Sequence, residues 1–274
     1  MKFSKLLTTL GFLSLTLLTT PVRSEEKVCE SNPSDMSSVN EYCTTTPQNY
    51  EVIIYKLGLC TADPLTGSGF SDASCNTVYS SSSNTRINLS PGSVLNLNGT
   101  SVLPQVNQYL FAYVIMSPTF RLKFKYELNG ITYYSKGGSS LASKFTKNAT
   151  SNASEASTFI ETLDSFDDEL NDHLANAGPI SVPGGSIRAL LAKADLTASA
   201  NSSETERLIG VFQPSQLKDI NVKSGLKTFD IGFTVRDSGG AVESCAPAEY
   251  GNGSSSVVCS FGSGPFSPSF TLGY

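Results

Sequence analysis

The feature that most constrains the fold is a stretch at residues 120–128 that alternates apolar and polar residues and is followed directly by Asn129-Gly130. Asn-Gly after an alternating segment predicts a two-residue type I′ turn, because both central residues of that turn need positive φ. Side chains of a strand alternate between its two faces, so this hairpin has one apolar face. Seven residues form that face: Phe120, Leu122, Phe124, Tyr126, Leu128, Ile131 and Tyr133.

The opposite face of the hairpin is basic and is a candidate partner surface. We call it the basic hairpin face, and it consists of Arg121, Lys123, Lys125 and Tyr134. Such a face can attract an anionic polysaccharide or lipid head groups. It is also what the exposed side of any amphipathic strand looks like, and lysines there discourage edge-to-edge pairing. We favour ordinary solvation of this face.

The rest of the chain predicts a mainly β protein. The run at 110–116 is apolar without alternation, which is typical of a central strand buried on both faces. Further strands are predicted at these ranges: 50–59, 207–212, 229–235, 257–261 and 269–274. Together they favour a single antiparallel, β-sandwich-like domain.

One amphipathic helix is expected on this domain. Phe159, Leu163, Phe166, Leu170 and Leu174 recur at steps of 4, 3, 4 and 4, which is the spacing of one helix face. The pattern predicts a helix at about 155–176 that packs its apolar side on the hairpin. A second, short helix is considered at 186–196, so residues 140–200 are predicted to form a helical insert.

The six cysteines are predicted to form three local disulfides. Their separations of 14, 15 and 14 residues suggest three sequential pairs: Cys29–Cys43, Cys60–Cys75 and Cys245–Cys259. Six cysteines allow fifteen pairings, so the spacing is the basis of this choice. A zinc site is the rival interpretation, but there is no CxxC motif and the only histidine is His173.

The N-terminus predicts export. Residues 1–24 combine two lysines, a short apolar run and a small residue at Ser24, which is the pattern of a signal peptide. Residues 25–49 are polar and predict an irregular arm, and 50–274 predict the single β-rich domain. Disulfides agree with an oxidising compartment, so we expect an extracellular, cell-surface or periplasmic location, with no transmembrane helix in the mature chain.

The charge of the chain argues against nucleic-acid binding. The whole sequence has 19 basic and 24 acidic residues. Without residues 1–24 it has 16 basic and 24 acidic residues and a net charge near −8. A general nucleic-acid binder needs a basic footprint. The partners that we consider instead are a second copy of the chain and a cell-surface glycan.

The predicted helix carries an acidic cluster that could suggest a metal site. Its members are Glu155, Glu161, Asp164, Asp167, Asp168, Glu169 and Asp172. Glu169 and His173 are four residues apart and would share a helix face. Two ligands do not make a metal site, and a calcium-loop pattern is absent, so a solvated polar face is the better interpretation. We expect no metal and no cofactor.

The sequence predicts a protein that is not an enzyme. No G-x-S-x-G motif is present, and His173 would have to be the sole imidazole base. A secreted or cell-surface structural or adhesive protein is the leading hypothesis. An extracellular carbohydrate-binding module is the alternative, although the chain lacks tryptophan. An outer-membrane β-barrel is a second, weaker alternative. It is suggested by apolar residues at alternate positions near the C-terminus: Phe266, Phe270, Leu272 and Tyr274.

Six N-x-[ST] sequons complete the set of motifs, and they start at Asn88, Asn98, Asn148, Asn152, Asn201 and Asn252. In a glycosylated secretory protein each would mark a surface loop. A chain this rich in Asn, Ser and Thr also contains such triplets by chance.

Overall fold

The computed structural model describes residues 27–34, 36, 42–89, 97–144, 146–166, 173–182, 184–215, 219–245 and 257–274. These residues contain 24 β-strands and two short 3₁₀ helices, and no α-helix lies among them. The strands in the first half of the chain are β1 (Tyr42–Thr45), β2 (Asn49–Val52), β3 (Ile54–Cys60), β4 (Leu65–Thr66), β5 (Gly69–Phe70), β6 (Cys75–Ser80), β7 (Ile87–Asn88), β8 (Thr100–Ser101), β9 (Asn107–Tyr109), β10 (Phe111–Met116), β11 (Thr119–Lys123), β12 (Lys125–Leu128) and β13 (Ile131–Ser135). Those in the second half are β14 (Gly138–Leu141), β15 (Ala149–Thr150), β16 (Phe159–Thr162), β17 (Asn176–Val182), β18 (Gly185–Ala192), β19 (Arg207–Pro214), β20 (Ile220–Val222), β21 (Thr228–Thr234), β22 (Gly240–Cys245), β23 (Val257–Ser263) and β24 (Ser267–Gly273). The 3₁₀ helices are η1 (Ala153–Glu155) and η2 (Ser202–Glu204).

The largest sheet has seven strands in the order β17-β18-β19-β10-β3-β6-β8, and all of its strand pairs are antiparallel. Strand β10 lies in its middle, and all six of its residues are buried. A strand that is covered on both faces needs apolar side chains at every position. The prediction of a central strand from the run 110–116 is confirmed.

The remaining strands form smaller sheets around this one. Their orders are β14-β16-β11-β2-β7, β1-β22-β23, β12-β13-β15, β9-β20, β21-β24 and β4-β5. Pairing is antiparallel in these sheets as well, with the exception of β14 and β16. The predicted mainly antiparallel β architecture is confirmed. The sandwich arrangement stays a prediction, because the strands in the described ranges divide among seven sheets.

The Asn129-Gly130 hairpin forms as predicted at its turn. Both residues have positive φ, 50° and 72°, and Leu128 lies opposite Ile131. The apolar face is buried with one exception, because Ile131 stands at the tip of the hairpin and is 47% exposed. The long strand 120–128 is interrupted at Phe124, so β11 belongs to the five-stranded sheet and β12 to a three-stranded sheet.

The predicted helix at 155–176 is wrong. Its first part contains β16, which pairs with β11 on one side and with β14 on the other, and its end enters β17. Residues 167–172 lie outside the described residues. Two partner strands satisfy the backbone of β16, so tertiary pairing overrides the helical spacing of its apolar residues. No helix of the described chain is long and apolar enough to cross a membrane.

The prediction of a second helix at 186–196 is also wrong. The prediction of a helical insert at 140–200 is wrong as well, because no α-helix lies among the described residues of this range. The segment of the predicted second helix forms β18, which pairs along its whole length with β19 and also with β17. Its sequence, GSIRALLA, contains good helix formers. However, the last three residues of β18 are buried inside the largest sheet, where pairing on both sides outweighs weak local propensity.

Three disulfides cross-link the chain: Cys29–Cys43, Cys60–Cys75 and Cys245–Cys259. They are the pairs that the spacing predicts, and they are consistent with an oxidising compartment. The segment 25–49 is less irregular than predicted, since it contains β1, which pairs with β22 of the same chain. The predicted signal peptide, 1–24, lies outside the described residues.

The two faces of the seven-stranded sheet are covered differently. On one face, Tyr113 and Ile115 of β10 belong to a core that also includes the Cys60–Cys75 loop. On the other face, Val114 and Met116 belong to the main core together with the five-stranded sheet. This second face also contacts the β21-β24 pair through Phe212 and Phe270. The layers on this side do not close completely, and a cavity lies between them.

Candidate functional site

An apolar cavity of about 290 Å³ lies between the seven-stranded sheet and the β21-β24 pair. The large sheet forms its floor with Leu57, Ala112, Val114, Met116, Ala177, Ile180, Ile187, Ala189, Leu208, Gly210 and Phe212. The β21-β24 pair forms its roof with Ile231, Phe233, Pro268 and Phe270. The side walls include Tyr50, Phe120, Ala142, Leu163, Ser165, Phe166, Ser263, Gly264, Pro265 and Phe266. Among the described residues that line it, none carries a charge.

A row of mostly small residues crosses the floor. Ala177 lies opposite Ala189, and Ala189 lies opposite Gly210. Gly210 in turn lies opposite Val114 of β10. Directly opposed residues of adjacent strands point to the same face, so these four form one line across β17, β18, β19 and β10. Three of the four are alanine or glycine, and Cγ1 of Val114 lies 3.2 Å from the position that a Cβ of Gly210 would take. The floor is therefore recessed over β17, β18 and β19, and the recess ends at Val114.

The apolar residues that alternate near the C-terminus form part of the roof of the cavity. Strands β21 and β24 pair over seven residues, with Ile231 opposite Phe270 and Phe233 opposite Pro268. These four residues are half-buried, whereas the intervening Gly232 and Ser269 are exposed. The alternation therefore produces a two-stranded ribbon whose apolar side faces the cavity.

Two hydroxyl groups in the wall are already engaged by the protein. The N–H of Ser263 donates to Oε2 of Glu161 at 2.7 Å, and its side chain also hydrogen-bonds to that carboxyl. Ser165 Oγ accepts a hydrogen bond from the N–H of Leu174 at 2.9 Å. These interactions direct polar groups of the wall toward the protein, so the space inside the cavity is bounded mainly by carbon.

Glu161 lies directly behind this wall and is buried, with 6% of its surface exposed. Burial raises the pKa of its carboxyl, hydrogen bonds from Ser263 lower it in part, and the nearby Asp164 raises it. Burial, together with the charge of Glu161, also raises the pKa of the Tyr50 hydroxyl. Asp164 is held by Ser143, whose N–H and hydroxyl donate to its two carboxylate oxygens at 3.0 and 2.6 Å.

Glu161→Gln is expected to change the pH dependence of stability. An acid whose pKa is raised in the folded state keeps its proton longer there than in the unfolded chain. The stability of the native protein therefore falls as the pH rises from the ordinary carboxyl value of 4.5. Glutamine keeps an acceptor for the Ser263 N–H and cannot ionise. The melting temperature of the variant minus that of the native protein should therefore increase as the pH rises.

The matched control for this titration is Glu127→Gln, which removes one negative charge from an exposed position on β12. An effect that comes only from the change in net charge should appear in this variant as well. A difference between Glu161→Gln and the native protein that stays constant from acid to neutral pH would contradict the assignment of Glu161.

The structure divides the basic hairpin face between two sheets. Arg121 and Lys123 lie on β11 and Lys125 lies on β12, on either side of Phe124. Lys125 lies opposite Tyr134 and forms an ion pair with Glu127 at 3.4 Å. Arg121 lies opposite Glu51 of β2. Acidic neighbours therefore accompany part of this face, and its role as a partner surface stays a prediction.

The acidic cluster of the predicted helix is dispersed in the part that the structure describes. Glu155 is exposed and forms an ion pair with Lys136 at 2.9 Å, whereas Glu161 is buried behind the cavity wall. His173 Nε2 lies 2.9 Å from Ser199 Oγ. Asp167, Asp168, Glu169 and Asp172 lie outside the described residues. No group of three or more His, Cys, Asp or Glu residues suited to a metal ion occurs among the residues described.

The cavity was not foreseen from the sequence. Ala177, Ala189 and Gly210 are far apart in the chain, and no local pattern marks them as neighbours. The sequence pattern places Glu161 on a solvated helix face, whereas the structure buries it. The one usable signal was the alternation in 229–233 and 268–272, which indicates two strands that each have one apolar side and need a surface to cover.

Comparisons with protein-family models, with curated proteins and with solved structures give no match. The class of the protein is therefore described from its own fold and site. It is a disulfide-bonded, mainly antiparallel β protein with an apolar cavity under a two-stranded ribbon, and no charged side chain is among the described residues that line this cavity.

Proposed function

We propose that the chain is an exported, non-catalytic binding protein that holds an apolar small molecule in the cavity under β21 and β24. The observation that carries this proposal is the cavity of about 290 Å³ whose described lining contains no charged residue. Ligand sites are concave and mostly apolar, with volumes from about 300 Å³ upward, so this cavity is of the size that suits a small ligand.

The packing of the rest of the molecule supports a bound ligand. Native interiors are close-packed and contain few voids larger than a water molecule, and an unfilled apolar cavity costs stability in proportion to its volume. Residues that line the cavity, such as Tyr50, Met116 and Phe120, are at most 2% exposed and well packed. The cavity is partly open, so its apolar lining is in contact with water, and a guest that fills it would remove that surface from water.

The test is binding of the uncharged fluorescent probe N-phenylnaphthylamine, whose emission rises in apolar surroundings. The native protein is expected to bind one probe molecule in a saturable manner. Ala189→Phe places a large ring in the middle of the floor and should weaken probe binding by about tenfold or more. It fills existing space, so its melting temperature should stay close to that of the native protein.

The matched control is Ala194→Phe, which adds the same ring at an exposed position in a turn. It should bind the probe as the native protein does. The proposal fails if the native protein shows no saturable binding, or if Ala189→Phe binds as well as Ala194→Phe.

The structural or adhesive role and the carbohydrate-binding role stay predictions, and the cavity favours neither. A sugar has hydroxyl groups that need hydrogen-bonding partners once they leave water. In the cavity wall, Ser165 and Ser263 already bond to the protein.

A further inference from the structure

We infer that the ligand of this cavity is an uncharged, unbranched alkyl chain that lies across the strands of the large sheet. This inference rests on the proposed function and adds to it the shape and the charge of the molecule that is bound. Two independent features carry it: the row of small residues in the floor, and the position of the nearest charged groups.

The row of small residues gives the cavity a long axis. Ala177, Ala189, Gly210 and Val114 lie on four adjacent strands. Adjacent strands are about 4.8 Å apart, so the row is about 14 Å long. It runs perpendicular to the strands, and a molecule that follows it must be extended in that direction.

The rows on either side of this line limit its width. Phe212 lies opposite Ile187 on one side, and Met116 lies opposite Leu208 on the other. Neighbouring rows on one face of a sheet are about 7 Å apart along the strand. On β18 and β19 the large side chains of both flanking rows occupy most of that spacing, whereas on β10 one flank is the small side chain of Ala112. Over β18 and β19 the trough is therefore about as wide as one alkyl chain.

The charges around the trough disfavour an anionic ligand. No charged residue is among its described lining residues, so a carboxylate head group inside it would lack a basic partner. The nearest acidic groups behind the wall are Glu161 and Asp164, which are both buried. An unpaired carboxylate in apolar surroundings is strongly disfavoured, and a second carboxyl nearby adds repulsion. A primary alcohol loses the hydrogen bonds of only one hydroxyl group, which costs far less than burying a charge.

The test uses the native protein and a series of primary alcohols from hexanol to tetradecanol, each measured by displacement of N-phenylnaphthylamine. Affinity should rise about fourfold for each added methylene group and then level off once the trough is filled. Dodecanoate, at a pH well above that of its own titration, should bind about tenfold more weakly than dodecanol. Adamantanol, a compact cage alcohol, should bind more weakly than decanol, which has the same number of carbons.

A variant at the end of the row separates shape from general apolar binding. Ala177→Leu narrows the trough on β17, at its edge, and should move the plateau of the alcohol series to shorter chains. Loss of binding for all chain lengths alike, with an unchanged melting temperature, would contradict the extended pose.

The outcomes distinguish failure of this inference from failure of the proposed function. If neither the probe nor any alcohol binds the native protein, the proposed function itself is wrong. If the probe binds but affinity does not depend on chain length, or dodecanoate binds as tightly as dodecanol, or adamantanol binds as tightly as decanol, then the cavity is a binding site and the inferred ligand class is wrong.

Discussion

Phe124→Ala is expected to lower the free energy of unfolding by about 3–5 kcal/mol, the range for truncation of a buried phenylalanine. The side chain is fully buried. Its ring stacks on that of Phe261 with centroids 5.0 Å apart, and it also packs against Phe159. Phe124 therefore joins the bend between β11 and β12 to β23 and β16, and its loss leaves a cavity among residues that pairing holds in place.

The measurement is chemical denaturation with the disulfides intact, in which the midpoint should fall while the slope with denaturant stays the same. The control is Lys123→Ala at the preceding position, where the side chain is half-exposed and the expected change is within about 0.5 kcal/mol. An equal loss from both substitutions would mean that the buried and exposed faces of this segment are misassigned.

Asn148→Ala is expected to cost about 2–4 kcal/mol, because it leaves two buried backbone groups without partners. Asn148 Nδ2 donates to the carbonyl of Phe261 at 2.8 Å, and Oδ1 accepts from the N–H of Phe261 at 2.7 Å. Strand β23 pairs with β22 on its other side. The amide of Asn148 thus takes the place of a neighbouring strand along this edge of β23.

Asn152→Ala is the matched control, since this asparagine also begins a sequon but is exposed. Its Oδ1 accepts from the N–H of Ser154 at the start of η1, and loss of such a cap costs about 1 kcal/mol. Asn148→Asp keeps the acceptor and loses the donor, so one buried group of Phe261 stays unpaired. Thermal or chemical denaturation that shows equal effects at positions 148 and 152 would contradict the role of Asn148.

The buried amide also bears on the sequons. Asn148 is 6% exposed, and both functions of its amide are used by Phe261, so a glycan at this position is incompatible with the native fold. Asn98, Asn152 and Asn201 are exposed and leave room for one. A sequon is a local triplet, and the structure around it decides whether its asparagine is accessible.

Several features that the sequence predicted correctly depend on local chemistry. The turn at Asn129-Gly130 depends on the φ preferences of two residues. The three disulfides connect cysteines only 14 or 15 residues apart. The central strand β10 follows from an unbroken apolar run. Each of these features depends on a short stretch of chain, and a short stretch carries the information that defines it.

Only the tertiary structure decided that residues in 155–192 form the strands β16, β17 and β18, and that the cavity exists. The residues of β16 and β18 suit a helix locally, but each strand has partners on both sides. The row from Ala177 to Val114 exists because antiparallel registers bring four distant residues into one line. Backbone hydrogen bonds between strands link residues at any sequence separation, so the shape of a β-sheet surface depends on pairings that no local pattern specifies.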